Sequence, residues 1–179
     1  MRKMLFVLFL IPAIAYCQPK LKSIYREGPL TIETSKSANE VWQLIIGFFS
    51  KNGISIQTID KASGVITSTG FSFLKDNPRN ERKGKAEPGA LYTYEDYKSK
   101  NPINPEAWIV INRLADGKIY PVKLTGNINI LISESAGKTS VTVNLSNLFG
   151  ESSNSRDRYK YYQVKSTGVF ESIITNAVK

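Results

Sequence analysis

Residues 37–53 (SANEVWQLIIGFFSKNG) hold a helix start, a wide apolar face and a stop, and the rest of the chain must accommodate them. Ser37 and Glu40 have capping-box spacing: a hydroxyl for an orphan backbone N–H, and a carboxylate that reaches back. At 100° per residue, Val41, Trp42, Leu44, Ile45, Phe48 and Phe49 fall on one side, and polar residues fall on the other. Asn52 and Gly53 end the helix, with Gly53 supplying a left-handed residue after its last turn. The polar face carries one Lys and one Glu, too little charge for a helix lying on a membrane, so the apolar stripe belongs to a core.

Most of the chain beyond residue 53 reads as sheet, and residues 30–33 alternate as a short first strand before the helix. Residues 54–60 and 65–73 form a hairpin, with Val65, Thr67, Thr69, Phe71 and Phe73 on one face. Residues 107–114 resume regular structure, and Asp116-Gly117 is a hairpin signal. Residues 119–133 keep Val122, Leu124, Ile128, Ile130 and Ile132 in phase, and 139–148 form the last strong strand. Residues 155–179 read as a long C-terminal helix with an apolar stripe that includes Phe170 and Ile174, and Gly168 lies within it. The expected fold is α+β and two-layered: an antiparallel meander of about six strands with two helices on one face, in the order β-α-β-β-β-β-β-α.

The N-terminus reads as an address. Arg2 and Lys3 precede an apolar run over 5–14, which is short for a bilayer span, and small residues at 13 and 15 offer cleavage sites. Residues 1–17 are expected to be a cleaved signal peptide, 18–29 an extended segment, and 30–179 one domain. The chain is thus expected to be exported to the periplasm or cell envelope. Cys17 follows the apolar run, as a lipid-modified cysteine does. Tyr16 departs from the small residue wanted before it, so an outer-membrane lipoprotein is the alternative.

The insertion at 75–106 interrupts the sheet pattern. It carries Pro78, Pro88, Pro102, Pro105, Gly84 and Gly89, and it brings Tyr92, Tyr94 and Tyr97. It reads either as a solvated loop or as a tyrosine-bearing flap that touches a ligand or partner.

Composition limits the chemistry. The chain has no histidine and one cysteine, which removes Cys/His zinc sites, His-assisted nucleophiles and internal disulfides. Phosphate-cradling glycine loops and a calcium-loop spacing are absent, so no cofactor or metal is expected. Glu95-Asp96, Glu134 and Glu171 are carboxylates without a pattern that would hold two at a set separation. The expected role is non-enzymatic.

Net charge is +9 for 24 basic against 15 acidic residues, and +7 once Arg2 and Lys3 leave with the leader. Arg156, Arg158, Lys160 and Lys165 make the start of the C-terminal segment basic. Nucleic acid would suit the run RDRYKYY, but export argues against it. An envelope protein or an anionic membrane surface is the expected partner.

The segment Asn52-Gly53, Ile54, Ile56, Asp60, Lys61, Gly64, Ile66 resembles the repeat unit of small bacterial envelope domains with a TBP-like or helix-grip fold, relatives of which include the outer-membrane assembly lipoprotein C domains. The resemblance implies a non-enzymatic binding or scaffolding role. The insertion at 75–106 and Tyr16 depart from it. Two functions are expected in consequence. One is an envelope scaffold that contacts another protein through its sheet face, its long loop with Tyr92, Tyr94 and Tyr97, or its basic C-terminal helix with Arg156, Arg158 and Lys160. The other is a carrier that holds a small lipid-like ligand against Phe170 and Ile174.

Overall fold

The computed structural model describes residues 25–74, 91–95, 105–112, 121–152 and 160–179. The chain is α+β. Its order is β1 (Leu30–Thr34), α1 (Ala38–Lys51), β2 (Thr58–Asp60), β3 (Val65–Ser72), β4 (Tyr92–Glu95), β5 (Ile109–Asn112), β6 (Pro121–Ser135), β7 (Lys138–Ser152), β8 (Lys160–Tyr162), β9 (Val164–Ser166) and α2 (Val169–Val178).

Helix α1 forms as its sequence dictates. The Ser37 hydroxyl accepts from the Glu40 N–H at 3.3 Å, and the Glu40 carboxylate accepts from the Ser37 N–H at 2.8 Å. At the other end the Asn52 side chain donates to the Phe48 carbonyl. Val41, Trp42, Ile45 and Phe49 are buried, whereas Leu44 stays exposed.

The larger sheet has the path β1-β7-β6-β3-β2, and β8 also pairs with β7. A smaller sheet has the order β4-β5-β9. The long β6–β7 hairpin closes through Ala136 and Gly137, both at positive φ, as a two-residue turn between twisted strands requires. Gly64, at φ 76°, lies against the Ile132 carbonyl, where any Cβ would collide with backbone.

The core is one cluster. Ile66, Leu124, Ile128, Ile130, Ile132, Val141 and Val143 point from the larger sheet toward α1 and α2. Tyr92, Trp108, Ile109 and Ile111 join it from the smaller sheet. Both helices thus lie on one side of the larger sheet, whose other face alternates out of the core.

Four expectations are corrected in detail. The strands do not follow one another as a single meander: β1 returns to β7, β3 pairs with β6, and the smaller sheet branches off. In β3 the buried residues are Ile66 and Ser68, followed by Phe73, because the register shifts between Ser68 and Phe71 and flips the side-chain phase. The insertion is not structureless. Within it, β4 pairs parallel with β5, Tyr92 to Ile109 through Glu95 to Asn112. The C-terminal segment is not one helix. Lys160–Tyr162 and Val164–Ser166 are strands, in a stretch with aromatic and β-branched side chains, and among the described residues of the segment the helix is Val169–Val178. The hairpin signal at 116–117 lies outside the described residues.

Candidate functional site

The start of α2 is assembled from distant parts of the chain. Gly168 sits at φ 85° immediately before the helix, a conformation that side chains resist. The Ser166 hydroxyl accepts from the Gly168 N–H at 3.0 Å and donates to the Glu171 Oε1 at 2.6 Å. Thr167 is tied to the smaller sheet: its N–H donates to the Trp108 carbonyl and its hydroxyl to the Ala107 carbonyl. Its hydroxyl also accepts from the Val169 N–H, one of the groups a helix start leaves unpaired.

Residues 25–27 run along the outer side of β9. The Arg26 N–H donates to the Ser166 carbonyl at 2.8 Å, and the Arg26 stem lies where a Cβ on Gly168 would go. The Lys165 ammonium is 3.7 Å from the Tyr25 ring centroid and 3.8 Å from the Glu27 carboxylate. These are partly exposed contacts, each worth about 1 kcal/mol or less. Together they hold the segment in register beside the helix.

Between this segment and α2 runs an open groove of about 670 Å³. Arg26 and Glu27 form one wall, and Val169, Ser172, Ile173 and Asn176 of α2 form the other. Ile173 is 37% exposed there. The groove therefore offers a cation, an anion, hydroxyl and amide groups and an aliphatic side chain. It has no pair of converging acids. Among the described residues no three His, Cys, Asp or Glu side chains gather as a metal centre, and no helix is long and apolar enough to cross a membrane.

Glu171 lies just behind the groove and is 1% exposed. One of its oxygens is held by Ser166, and Oε2 makes no hydrogen bond among the described residues.

The other face of the larger sheet is a second candidate surface. Thr31 lies opposite Thr142, Thr142 opposite Leu131, and Leu131 opposite Val65. One row along, Asn144 faces Asn129 and Asn129 faces Thr67. Charge on this face includes the Glu33–Lys138 pair at 3.0 Å, Lys123 over the Phe149 ring, Glu151 opposite Lys123, and Asp60 on the β2 edge.

The residues singled out from sequence scatter. Phe170 and Ile174 are buried. The Phe170 ring centroid is 4.7 Å from that of Trp108 and 5.9 Å from that of Phe48, so aromatic side chains occupy the space beneath the helix. Tyr92 is 1% exposed and belongs to the core rather than to a flap. Tyr94 lies on β4 and Lys160 on β8, a strand instead of the expected helix. Cys17, Tyr97, Arg156 and Arg158 lie outside the described residues. Sequence reasoning passed over Tyr25, Arg26, Ser172 and Asn176. Their only signal was Lys165, which belonged to the basic run but whose partners, Tyr25 and Glu27, sit far from it along the chain.

A comparison with protein-family models finds none that matches this chain, and a comparison with curated proteins finds no significant match.

Proposed function

We propose that the chain is an exported, non-enzymatic binding module of the cell envelope that docks another envelope protein in the groove beside α2. The observation that carries this reading is the groove's lining. Opposite charges, two-way hydrogen-bonding groups and one exposed aliphatic side chain are what a protein segment needs, and they lack the convergence that a reaction needs. The mixed charge of Arg26 and Glu27 favours a protein over a purely anionic membrane surface. The packing of Phe170 on Trp108 and Phe48 favours docking over a ligand carried in the core.

Affinity capture from envelope fractions tests it. The wild-type chain should retain one protein reproducibly, and Ile173→Asp with Asn176→Arg should release it while the fold survives. Retention of the same protein by the double variant would refute the groove as the docking site. A lipid-like mass carried by the purified protein in native mass spectrometry would favour the carrier instead.

A further inference from the structure

We infer that the solvent side of α1 pairs antiparallel with α1 of a second copy of this chain. Glu40, Leu44, Gly47 and Lys51 are all exposed. At 100° per residue they fall within about 60° of one another, opposite the side of the buried Trp42, Ile45 and Phe49. The order acid, leucine, glycine, base is met in reverse on a helix that runs the other way. About a dyad between residues 45 and 46, Glu40 of one copy faces Lys51 of the other and Leu44 faces Gly47, and each contact occurs twice. The stripe is thus complementary to itself in charge and in shape. A face made only for water has no need of that, and a second copy is the partner that carries the same stripe.

Two residues of the stripe have no purpose within one copy. Leu44 keeps 39% of its surface exposed. Gly47 lies inside the helix, away from positive φ, and no atom comes within 4 Å of where its Cβ would be. Neither a turn nor a close approach within the chain asks for glycine there, and glycine weakens a helix interior relative to alanine. Between two helices the same residue is a notch, which lets the axes approach and seats a leucine from the facing helix. The ends are prepared as well. The Ser37 N–H and hydroxyl both donate to Glu40 Oε2 at 2.8 Å, so the carboxylate is fixed in place and Oε1 is left for a further donor. A group already fixed loses less freedom on binding. The Lys51 ammonium makes no ion pair among the described residues. Glu40 and Lys51 each suit their own helix end, through the capping box and the helix dipole. That local logic does not supply a leucine four residues after the acid and a glycine four before the base. The stripe is short, ~16 Å from Glu40 to Lys51 along the axis. The dimer is accordingly a transient one, expected to form at roughly 10–100 μM.

The stripe shares no residue with the groove, so this inference and the proposed docking fail separately. Sedimentation equilibrium of the purified protein from about 1 μM to 1 mM is the test, with circular dichroism to confirm that each variant is folded. Wild type should pass from monomer to dimer across that range. Lys51→Glu and Glu40→Lys should each weaken dimerisation about tenfold, because each sets like charges face to face. Mixed one to one, the two folded variants should dimerise again, since each supplies the charge that the other lacks. Glu40→Lys also removes part of the capping box, so Gly47→Gln is the variant that leaves the fold out of question. It adds helix propensity, meets open space within one copy and blocks the partner's leucine. It should raise the thermal midpoint yet weaken dimerisation more than tenfold. Asn176→Arg, in the groove, should dimerise as wild type does. A wild type that stays monomeric throughout overturns the inference. So does a dimer that Gly47→Gln leaves intact, or one whose folded charge variants stay apart when mixed.

Discussion

Helix α1 and helix α2 cover the same sheet, yet they begin in opposite ways. The start of α1 is specified within four residues: Ser37 and Glu40 satisfy each other's backbone, and a peptide holding both already contains the signal. The start of α2 is specified by the fold. Gly168 adopts a left-handed conformation, Ser166 and Thr167 replace the missing cap, and Arg26, Ala107 and Trp108 hold them from elsewhere in the chain. The locally encoded helix end is made by its own residues. The end that needs long-range partners also brings together polar groups of two segments, 25–27 and 167–176, and these line the candidate site.

The contrast can be broken at several depths. Truncating the core under either helix should matter most. Phe170→Ala and Phe49→Ala should each cost about 3–5 kcal/mol, read by denaturant midpoint, because both rings are fully buried. Equal losses are expected here, since packing serves the two helices alike. Differences appear at the caps. Gly168→Ala should cost about 1–3 kcal/mol, because it forces a side chain into φ 85° against the Arg26 stem. It should also open the groove, seen as faster amide exchange at Arg26. Ser37→Ala should cost about 1 kcal/mol and leave the groove unchanged.

Smallest is a pH effect that belongs to α1. The Ser37 backbone N–H, then its hydroxyl, hold the Glu40 carboxyl below its ordinary value of 4.5. A carboxyl lowered in the folded state contributes stability above its unfolded value, and loses it as pH falls through the folded one. Asp60 behaves likewise: the Ser63 hydroxyl, then the Ser63 and Ala62 N–H groups, lower it from 3.8. Stability should therefore decline on acidification below about pH 4.5, and Ser37→Ala should flatten the Glu40 part of that decline. An unchanged acid slope in the variant would show that the Ser37 hydroxyl has no share in holding the Glu40 carboxyl down.

What could be read from sequence divides in the same way. The limits of α1, the inward phase of Leu124, Ile128, Ile130 and Ile132, and the α+β class all rest on local periodicity, and the fold carries them. The reading failed where distant chain decides. Tyr92 looked like loop, but Ile109 and its neighbours offer it a parallel partner far from any hairpin rule. Residues 160–166 have an apolar spacing that a helix would also accept, and pairing with β7 and β5 makes them strand. The groove was illegible for the same reason: Arg26 and Ser166 meet only when β9 has formed.

The direct test of the central claim is site-specific photo-crosslinking in cells. A photoreactive residue at Asn176, on the groove side of α2, is compared with one at Gln43, exposed on the solvent side of α1. A light-dependent adduct with a different protein is expected from position 176 and none from position 43. No adduct at 176, or equal adducts from both positions, would contradict it.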